Sequence, residues 1–396
     1  MKTLIKIFDE SPILNYLSAY ILKPERVIFI GGRHIARSSV RSSIERSVKA
    51  LQIDTHVKYY SVNVTDFEEI LKTLRRITKQ FPECAIDLTG GNDILHAAVG
   101  MHSGEFQTPL FYCDLFQNRM IDIFRCPEVE GRSIDVRLNC AQMITLAGGM
   151  IIGHGHISQE SLSDEACQDI LKVWDIVRKY RATWSKQAEF FQAANRYIME
   201  SDQRTSSDKL IVYHIEMQQK GKNNTTCHLG IMKTLEEAGI LEILENADRR
   251  ITFRYKNQQI KKCLSDAGLW LELYTYLTAV GLGVFSDAQL SLMIDWNGII
   301  DEPNNVNNEL DVTLVRGYRM IFISCKMGTP TVAAVNEIRT LTEKFGGRYA
   351  KAVLVTMADM AKQAPVTYRR AMESGVTVID RRTLMSGKLG EALMKL

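Results

Sequence analysis

Long apolar runs are missing from these 396 residues. No stretch approaches the length of a membrane span and the N-terminus lacks a secretory signal, so a cytoplasmic protein with no membrane partner is expected. The eight cysteines form neither CxxC pairs nor zinc-ligand spacings, and they read as buried or free thiols of a reducing compartment. Charge of one sign is also scarce: 49 Lys and Arg against 46 Asp and Glu leave a net charge of +3, which excludes a polybasic tail but not local basic patches. Neither GxGxxG nor GxxxxGK[ST] occurs, so neither a nicotinamide dinucleotide nor a nucleoside triphosphate is signalled. What is present is a globular composition, 45% apolar and 24% charged, on a chain long enough for two or three domains.

The most informative stretch is a hairpin. Glu309-Leu310-Asp311-Val312-Thr313-Leu314-Val315 and Met320-Ile321-Phe322-Ile323-Ser324-Cys325-Lys326 are β-rich runs joined by Arg316-Gly317-Tyr318-Arg319. The start of one strand lies beside the end of the other, so Glu309, Asp311 and Lys326 converge. Alternation puts Glu309 with Asp311 on one face and Ser324 with Lys326 on one face. Carboxylates beside an ammonium group can hold a divalent cation and stabilise charge on a phosphodiester. A solvated hairpin rim would show the same residues. The pattern resembles the PD-(D/E)xK, restriction-endonuclease-like core, with Asp311 and Lys326 in their usual places and Ser324 where a carboxylate is usual.

Towards the N-terminus, strands alternate with helices. Lys2–Asp9, Arg26–Ile30, Thr55–Val62, Cys84–Leu88 and Pro109–Cys113 read as strands, and helices follow Ser11-Pro12, Gly31-Gly32, Phe67 and Asp93. The order argues for a parallel, doubly wound sheet, in which ligands sit beyond the carboxyl ends of the strands. Two such ends are glycine-rich, Gly31-Gly32-Arg33-His34 and Thr89-Gly90-Gly91-Asn92-Asp93, and Arg33 and Arg37 beside Ser38 and Ser39 favour an anion. Tight turns that bind nothing also fit these loops.

In the middle, Gly153-His154-Gly155-His156 reads as a loop, since two histidines alone make a poor metal site. A helix is expected from Ala166 to about Glu200, with Trp174, Trp184, Phe190, Phe191 and Tyr197 in its apolar stripes, then a polar linker over 201–208. From Leu210 the pattern reads helix, turn at 221–224, helix Cys227–Ala238 and a hairpin, Leu241–Leu244 with Ile251–Tyr255. That order resembles a winged helix, and nearby lysines and arginines leave DNA reading open beside a spacer or dimer role. Further on, Gln258–Thr278 should be one helix carrying Glu272 among apolar neighbours, Gln289–Trp296 a strand and 301–308 a polar loop. Arg339, Lys344, Arg348, Lys351, Arg369, Arg370, Arg381 and Arg382 could contact phosphate or simply decorate a solvated face.

Taken together, the strand-TGGN-helix element, the SPxxN start and the hairpin resemble the CARF-domain CRISPR ancillary nucleases. The resemblance implies an α/β protein in three parts: a Rossmann-like CARF sensor over 1–155, a helical and winged-helix-like connector over 156–257, and a restriction-endonuclease-like nuclease domain over 258–396. It further implies a homodimer that binds one cyclic oligoadenylate, cyclic tetra-adenylate, as the activator. Ser11, Asn15, Gly31, Gly32, Arg33, Thr89, Gly90, Gly91, Asn92 and Asp93 would line that site. Catalysis would use Glu272, Glu309, Asp311, Ser324 and Lys326. Mn²⁺ or Mg²⁺ would be held by Asp311, Glu309, Glu272 and the Cys325 backbone carbonyl, for cleavage of DNA or RNA in antiviral defence. Two other readings stay open: an inactive, ligand-responsive regulator binding DNA through the winged helix, for which Ser324 argues, and a nucleotide-dependent metabolic enzyme.

Overall fold

A computed structural model describes residues 1–155, 162–199, 208–217, 226–299 and 306–396. The N-terminal alternation folds as expected. Strands β1 (Thr3–Ile7), β2 (Arg26–Gly31), β3 (His56–Ser61), β4 (Cys84–Asp87) and β5 (Leu110–Asp114) form a parallel sheet in the order β3-β2-β1-β4-β5. A sixth strand, β6 (Arg119–Phe124), pairs antiparallel with β5 and closes the edge; the sequence reading had no strand there. Ile5, Ile7, Ile28, Ile30 and Ile86 face the helices Phe67–Gln80 and Asp93–Phe106. Leu4, Val27, Phe29 and Ala85 point to the other side. Burial on both faces is why these strands read as continuous apolar runs.

One ion pair lies inside this sheet. Lys6 and Asp87 are register partners on β1 and β4, and the ammonium lies 2.6 Å from Asp87 Oδ2 with both side chains fully buried. Asp87 Oδ1 accepts the Thr89 amide at 2.8 Å, so the pair also fixes the start of the TGGN loop.

The remaining strands form two sheets. β7 (Met150–His154), β11 (Asp287–Asp295), β12 (Asn307–Arg316), β13 (Arg319–Lys326), β14 (Lys351–Thr356) and β15 (Val376–Ile379) lie in the order β15-β14-β13-β12-β11-β7, while β8 (Ile211–Glu216), β9 (Leu241–Ala247) and β10 (Arg250–Tyr255) form a small sheet, β8-β10-β9. β7 belongs by sequence to the first segment, yet it pairs with β11 in the C-terminal sheet. The chain thus crosses into that sheet before residue 155.

Three local expectations change. Residues after Leu210 form strand β8 rather than a helix, because Ile251 and Phe253 of β10 offer it a pairing partner and a buried face. The helix expected over 166–200 is two, Asp164–Lys179 and Trp184–Met199, hinged at Tyr180. The one expected over 258–278 breaks into Gln258–Leu264 and Leu269–Gly281, where Asp266 Oδ1 captures the Gly268 and Leu269 amides at 2.8 and 3.3 Å. Such local side-chain bonds compete with the helix ladder. His156, most of the 201–208 linker, the 221–224 turn and positions 301–305 of the polar loop lie outside the described residues, as do the side chain of Tyr197 and the structure of Glu200.

The C-terminal sheet is a shared wall. On one side Leu290, Val312, Leu314, Ile321, Ile323, Val353 and Val355 join a core with Trp174, Trp184, Phe190, Phe253 and Tyr255 of the connector. On the other, Leu292, Leu310, Met320, Phe322 and Leu354 join a core with Leu14, Leu17 and Phe29 of the N-terminal domain. The N-terminal domain therefore packs directly on the wall, without passing through the connector.

Candidate active site and ligand cleft

The hairpin forms at the expected place. Arg316 and Arg319 close a two-residue turn with Gly317 at φ +69°, where a side chain would be strained. Its tip docks on the N-terminal domain: the Tyr318 hydroxyl and an Arg319 guanidinium N–H both donate to the Leu115 carbonyl at 2.8 Å.

At the open end the two strands separate. Pairing runs from Arg316↔Arg319 to Val312↔Ile323 and stops there. Residues two apart on a strand aim their backbone groups to the same side, so Cys325 presents its N–H and C=O to the gap. The amide is taken by Asp311 Oδ2 at 2.6 Å, and the same oxygen accepts from Ser324 Oγ and from Lys326 Nζ, each at 3.3 Å.

A change of face aims Asp311 into this gap. Leu290 and its partner Val312 pack on the connector side, whereas Leu292 and its partner Leu310 pack on the side of the N-terminal domain. Residues two apart should share a face. Both strands switch between those pairs, at Ser291, whose φ is +49°, and at Asp311. Irregularities of this kind redirect side chains beside active sites.

Glu309, Asp311, Ser324 and Lys326 line a cleft of about 40 Å³ together with Glu337, Ile338 and Leu341 of the helix Val332–Gly346. Glu337 is an acidic side chain the sequence reading missed; it accepts from Asn308 Nδ2 at 3.3 Å. Its signal lies only in its position in the first turns of the helix after the hairpin. Glu272 approaches from the opposite face, on the first turn of the Leu269–Gly281 helix. Burial, and then the charges of Asp311, Asp266 and Glu309, push its carboxyl up to about 8, against the pull of Lys326. Burial works against the Lys326 ammonium, yet Asp311 outweighs it and holds the pKa above the ordinary lysine value. The Cys325 thiol is buried, donates to Thr275 Oγ1 at 3.8 Å and is pushed far up by burial, so it stays protonated and its backbone is the part that meets the gap. Among the described residues no three His, Cys, Asp or Glu side chains gather in an arrangement that could hold a metal ion by themselves.

The residues expected for the ligand divide into three groups. Ser11, Gly32, Gly91 and Asn92 line a cleft of about 400 Å³ with Asp9, His34, Val64 and Arg348. Asn15 lines a neighbouring cleft of about 330 Å³, and its side chain exchanges two hydrogen bonds with the Asp9 backbone, at 2.8 and 2.9 Å. Gly31, Arg33, Thr89, Gly90 and Asp93 are not among the lining residues of either cleft. Thr89 is buried and its hydroxyl accepts the Cys113 amide. Asp9, which the sequence reading did not single out, organises the floor: its two oxygens accept the Ser11 and Gly91 amides at 2.7 and 2.8 Å. Gly91, at φ +89°, lies so close to Ile7 that an added Cβ would fall 2.4 Å from its Cγ2.

The expected basic contacts also separate. Arg339 pairs with Glu343, and Arg381 and Arg382 pair with Asp359. Lys344 and Arg348 line the two clefts of the N-terminal domain instead.

With this geometry in place, comparison with known proteins defines a class. Residues 261–392 match the Card1-like, endonuclease domain family, so the chain carries a Card1-like endonuclease domain at its C-terminal end, behind a Rossmann-like domain. The expected α/β fold, a Rossmann-like N-terminal domain joined to an endonuclease domain, is borne out. Two solved structures share the fold over almost the whole length. One is Can2 from Sulfobacillus thermosulfidooxidans in complex with cyclic tetra-adenylate, at 17% identity and TM-score 0.68, covering 99% of this chain and 98% of that one. The other is protein VC1899 from Vibrio cholerae, at 17% identity and TM-score 0.74, covering 99% and 97%. No curated protein matches the sequence. Among the described residues no helix is long and apolar enough to cross a membrane.

Proposed function

We propose that the protein is a metal-dependent endonuclease of CRISPR-associated antiviral defence, switched on by a cyclic oligoadenylate, with cyclic tetra-adenylate as the favoured ring. The observation that carries this reading is the convergence on Asp311 Oδ2 of the Cys325 amide, the Ser324 hydroxyl and the Lys326 ammonium, inside a Card1-like endonuclease domain. Support for the ligand comes from the cleft at the strand ends, which combines Ser11, Gly32 and Asn92 with a guanidinium. A ring of four nucleotides exceeds a cleft of about 400 Å³, which agrees with a homodimer sharing one ring.

The donor set suits a hard divalent cation such as Mg²⁺ or Mn²⁺. Asp311, Glu309 and Glu272 offer carboxylate oxygens and Cys325 offers a backbone carbonyl, with no thiolate or imidazole among them. Burial and then the repulsion of Asp311, Asp266 and Glu309 raise the Glu272 carboxyl, and a divalent charge would offset both. When bound, such an ion supplies Lewis acidity and a water of lowered pKa. Asp311 fixes the charge at the strand end, and the rigid Cys325 amide sets the orientation of its carboxylate. Lys326, charged across the neutral range, orients the attacking water and stabilises the negative charge that develops on the phosphate. Ser324 holds a hydrogen bond to Asp311 and leaves the third carboxylate to Glu309 or Glu272.

The test is cleavage of labelled single- and double-stranded DNA and of RNA, with Mn²⁺ or Mg²⁺, with and without cyclic tetra-adenylate. Cleavage that needs both the ion and the ring is expected. Binding of the ring with no cleavage of any substrate would favour the regulator reading instead. Direct packing of the N-terminal domain on the nuclease sheet favours the nuclease, since it gives the ligand a route to Asp311.

A further inference from the structure

The helix Val332–Gly346 lines the catalytic cleft and ends two residues before a residue of the ligand cleft. From Ala334 to Leu341 it forms one wall of the catalytic cleft beside Asp311 and Lys326. Fifteen residues make it about 22 Å long. At its far end the chain turns at Gly347, with φ +60°, close enough to the N-terminal domain that an added Cβ would sit 3.4 Å from Ser11 Oγ. The next residue, Arg348, lines the ligand cleft.

Arg348 is exposed, and its guanidinium lies over the Tyr349 ring at 5.0 Å. Among the described residues no carboxylate forms an ion pair with it. Of the two acids in the same cleft, Asp9 already accepts two backbone amides, while Glu10 is exposed and opposes an anion. A guanidinium held by an aromatic ring and turned to a cleft of hydroxyl, amide and glycine groups suits a phosphodiester oxygen.

The helix is gripped along its length. Val335, Ile338, Leu341 and Phe345 are buried against the sheet. Gly346 lies so near Ala350 and Phe322 that an added Cβ would fall 2.2 Å from one and 3.3 Å from the other. Phe322 is on β13, four residues before Lys326, so a shift at Arg348 moves the element that ends in the catalytic lysine.

We infer that Arg348, from the nuclease domain, binds a phosphate of the activating ligand, and that the Val332–Gly346 helix links that contact to the catalytic cleft of the same chain. This rests on the ligand reading given above and adds a contact from outside the sensor domain. A ligand shifts an equilibrium only through differential affinity, and Arg348 supplies it if its position depends on how the nuclease domain is set.

The experiment measures the affinity of full-length Arg348→Ala and Arg348→Lys for cyclic tetra-adenylate by calorimetry, and cleavage at saturating ring. Loss of a charge-assisted phosphate contact should weaken binding by about tenfold or more in Arg348→Ala, with partial recovery in Arg348→Lys and lower cleavage at saturation in Arg348→Ala. Wild-type affinity in Arg348→Ala would overturn the contact. Weakened binding with wild-type cleavage at saturation would keep the contact and overturn the link through the helix. A wild-type chain that binds no ring would overturn the sensor reading, and this inference with it.

Discussion

Lys326 Nζ lies 3.3 Å from Asp311 Oδ2, and the same oxygen accepts the Cys325 amide at 2.6 Å. The aspartate is thus held by the backbone of the strand that carries its lysine. That arrangement couples the position of β13 to the charge at the proposed reaction centre.

Asp311→Asn keeps the shape and removes the charge. Cleavage should fall by about 100-fold or more, because the charge that would hold the divalent cation and that anchors Lys326 is lost. Ring binding, measured in parallel by calorimetry, should be unchanged, since Asp311 does not line the cleft proposed for the ring. Cleavage at the wild-type rate would remove Asp311 from the mechanism.

Glu272 makes a pH prediction with a defined sign. Its carboxyl titrates near 8 in the fold and near its ordinary value when unfolded, so the folded state holds the extra proton between those limits. Stability from this group is therefore intact at low pH and declines as pH rises towards about 8. Glu272→Gln should gain stability over the wild type as pH rises from 5 to 8, by roughly 3 to 4 kcal/mol. Chemical denaturation at the two pH values reads this directly; a difference independent of pH would contradict the assignment.

Ser324→Asp places a carboxylate where the related nuclease pattern has one. Without metal it should destabilise the site, because Ser324 Oγ lies 3.3 Å from Asp311 Oδ2. With the extra ligand, Mn²⁺ affinity should rise by about tenfold. Titration by calorimetry at fixed pH measures it, and unchanged affinity would show that this position does not face the ion.

Lys6→Met would leave the fully buried Asp87 without its cation. Removing one partner of such a pair costs about 3–5 kcal/mol. The double variant Lys6→Met with Asp87→Asn should recover part of the loss, as the urea midpoints would report. Because Asp87 holds the Thr89 amide, ring affinity should fall alongside stability in the single variant.

Much of the site was legible because its residues are close in sequence and their geometry is set by the strand period. A two-residue turn fixed the register of the hairpin, and the register brought Asp311 beside Ser324, Cys325 and Lys326. The alternating strands and glycine-rich strand ends of the first sheet were visible for the same local reason. Periodicity failed where a side chain or a distant strand won: Asp266 broke one helix by capturing two amides, and β10 turned the stretch after Leu210 into a strand.

The sequence by itself determined the parallel strands of the first sheet, the two glycine-rich loops and the acid-lysine hairpin, since each depends on neighbours a few residues away. Only the tertiary structure decided that β7 enters the C-terminal sheet, that Asp311 sits where two strands change face, and that Arg348 reaches the cleft at the N-terminal strand ends. These depend on which surfaces meet across hundreds of residues, and burial of one sheet between two separate cores has no signature in any single window of the chain.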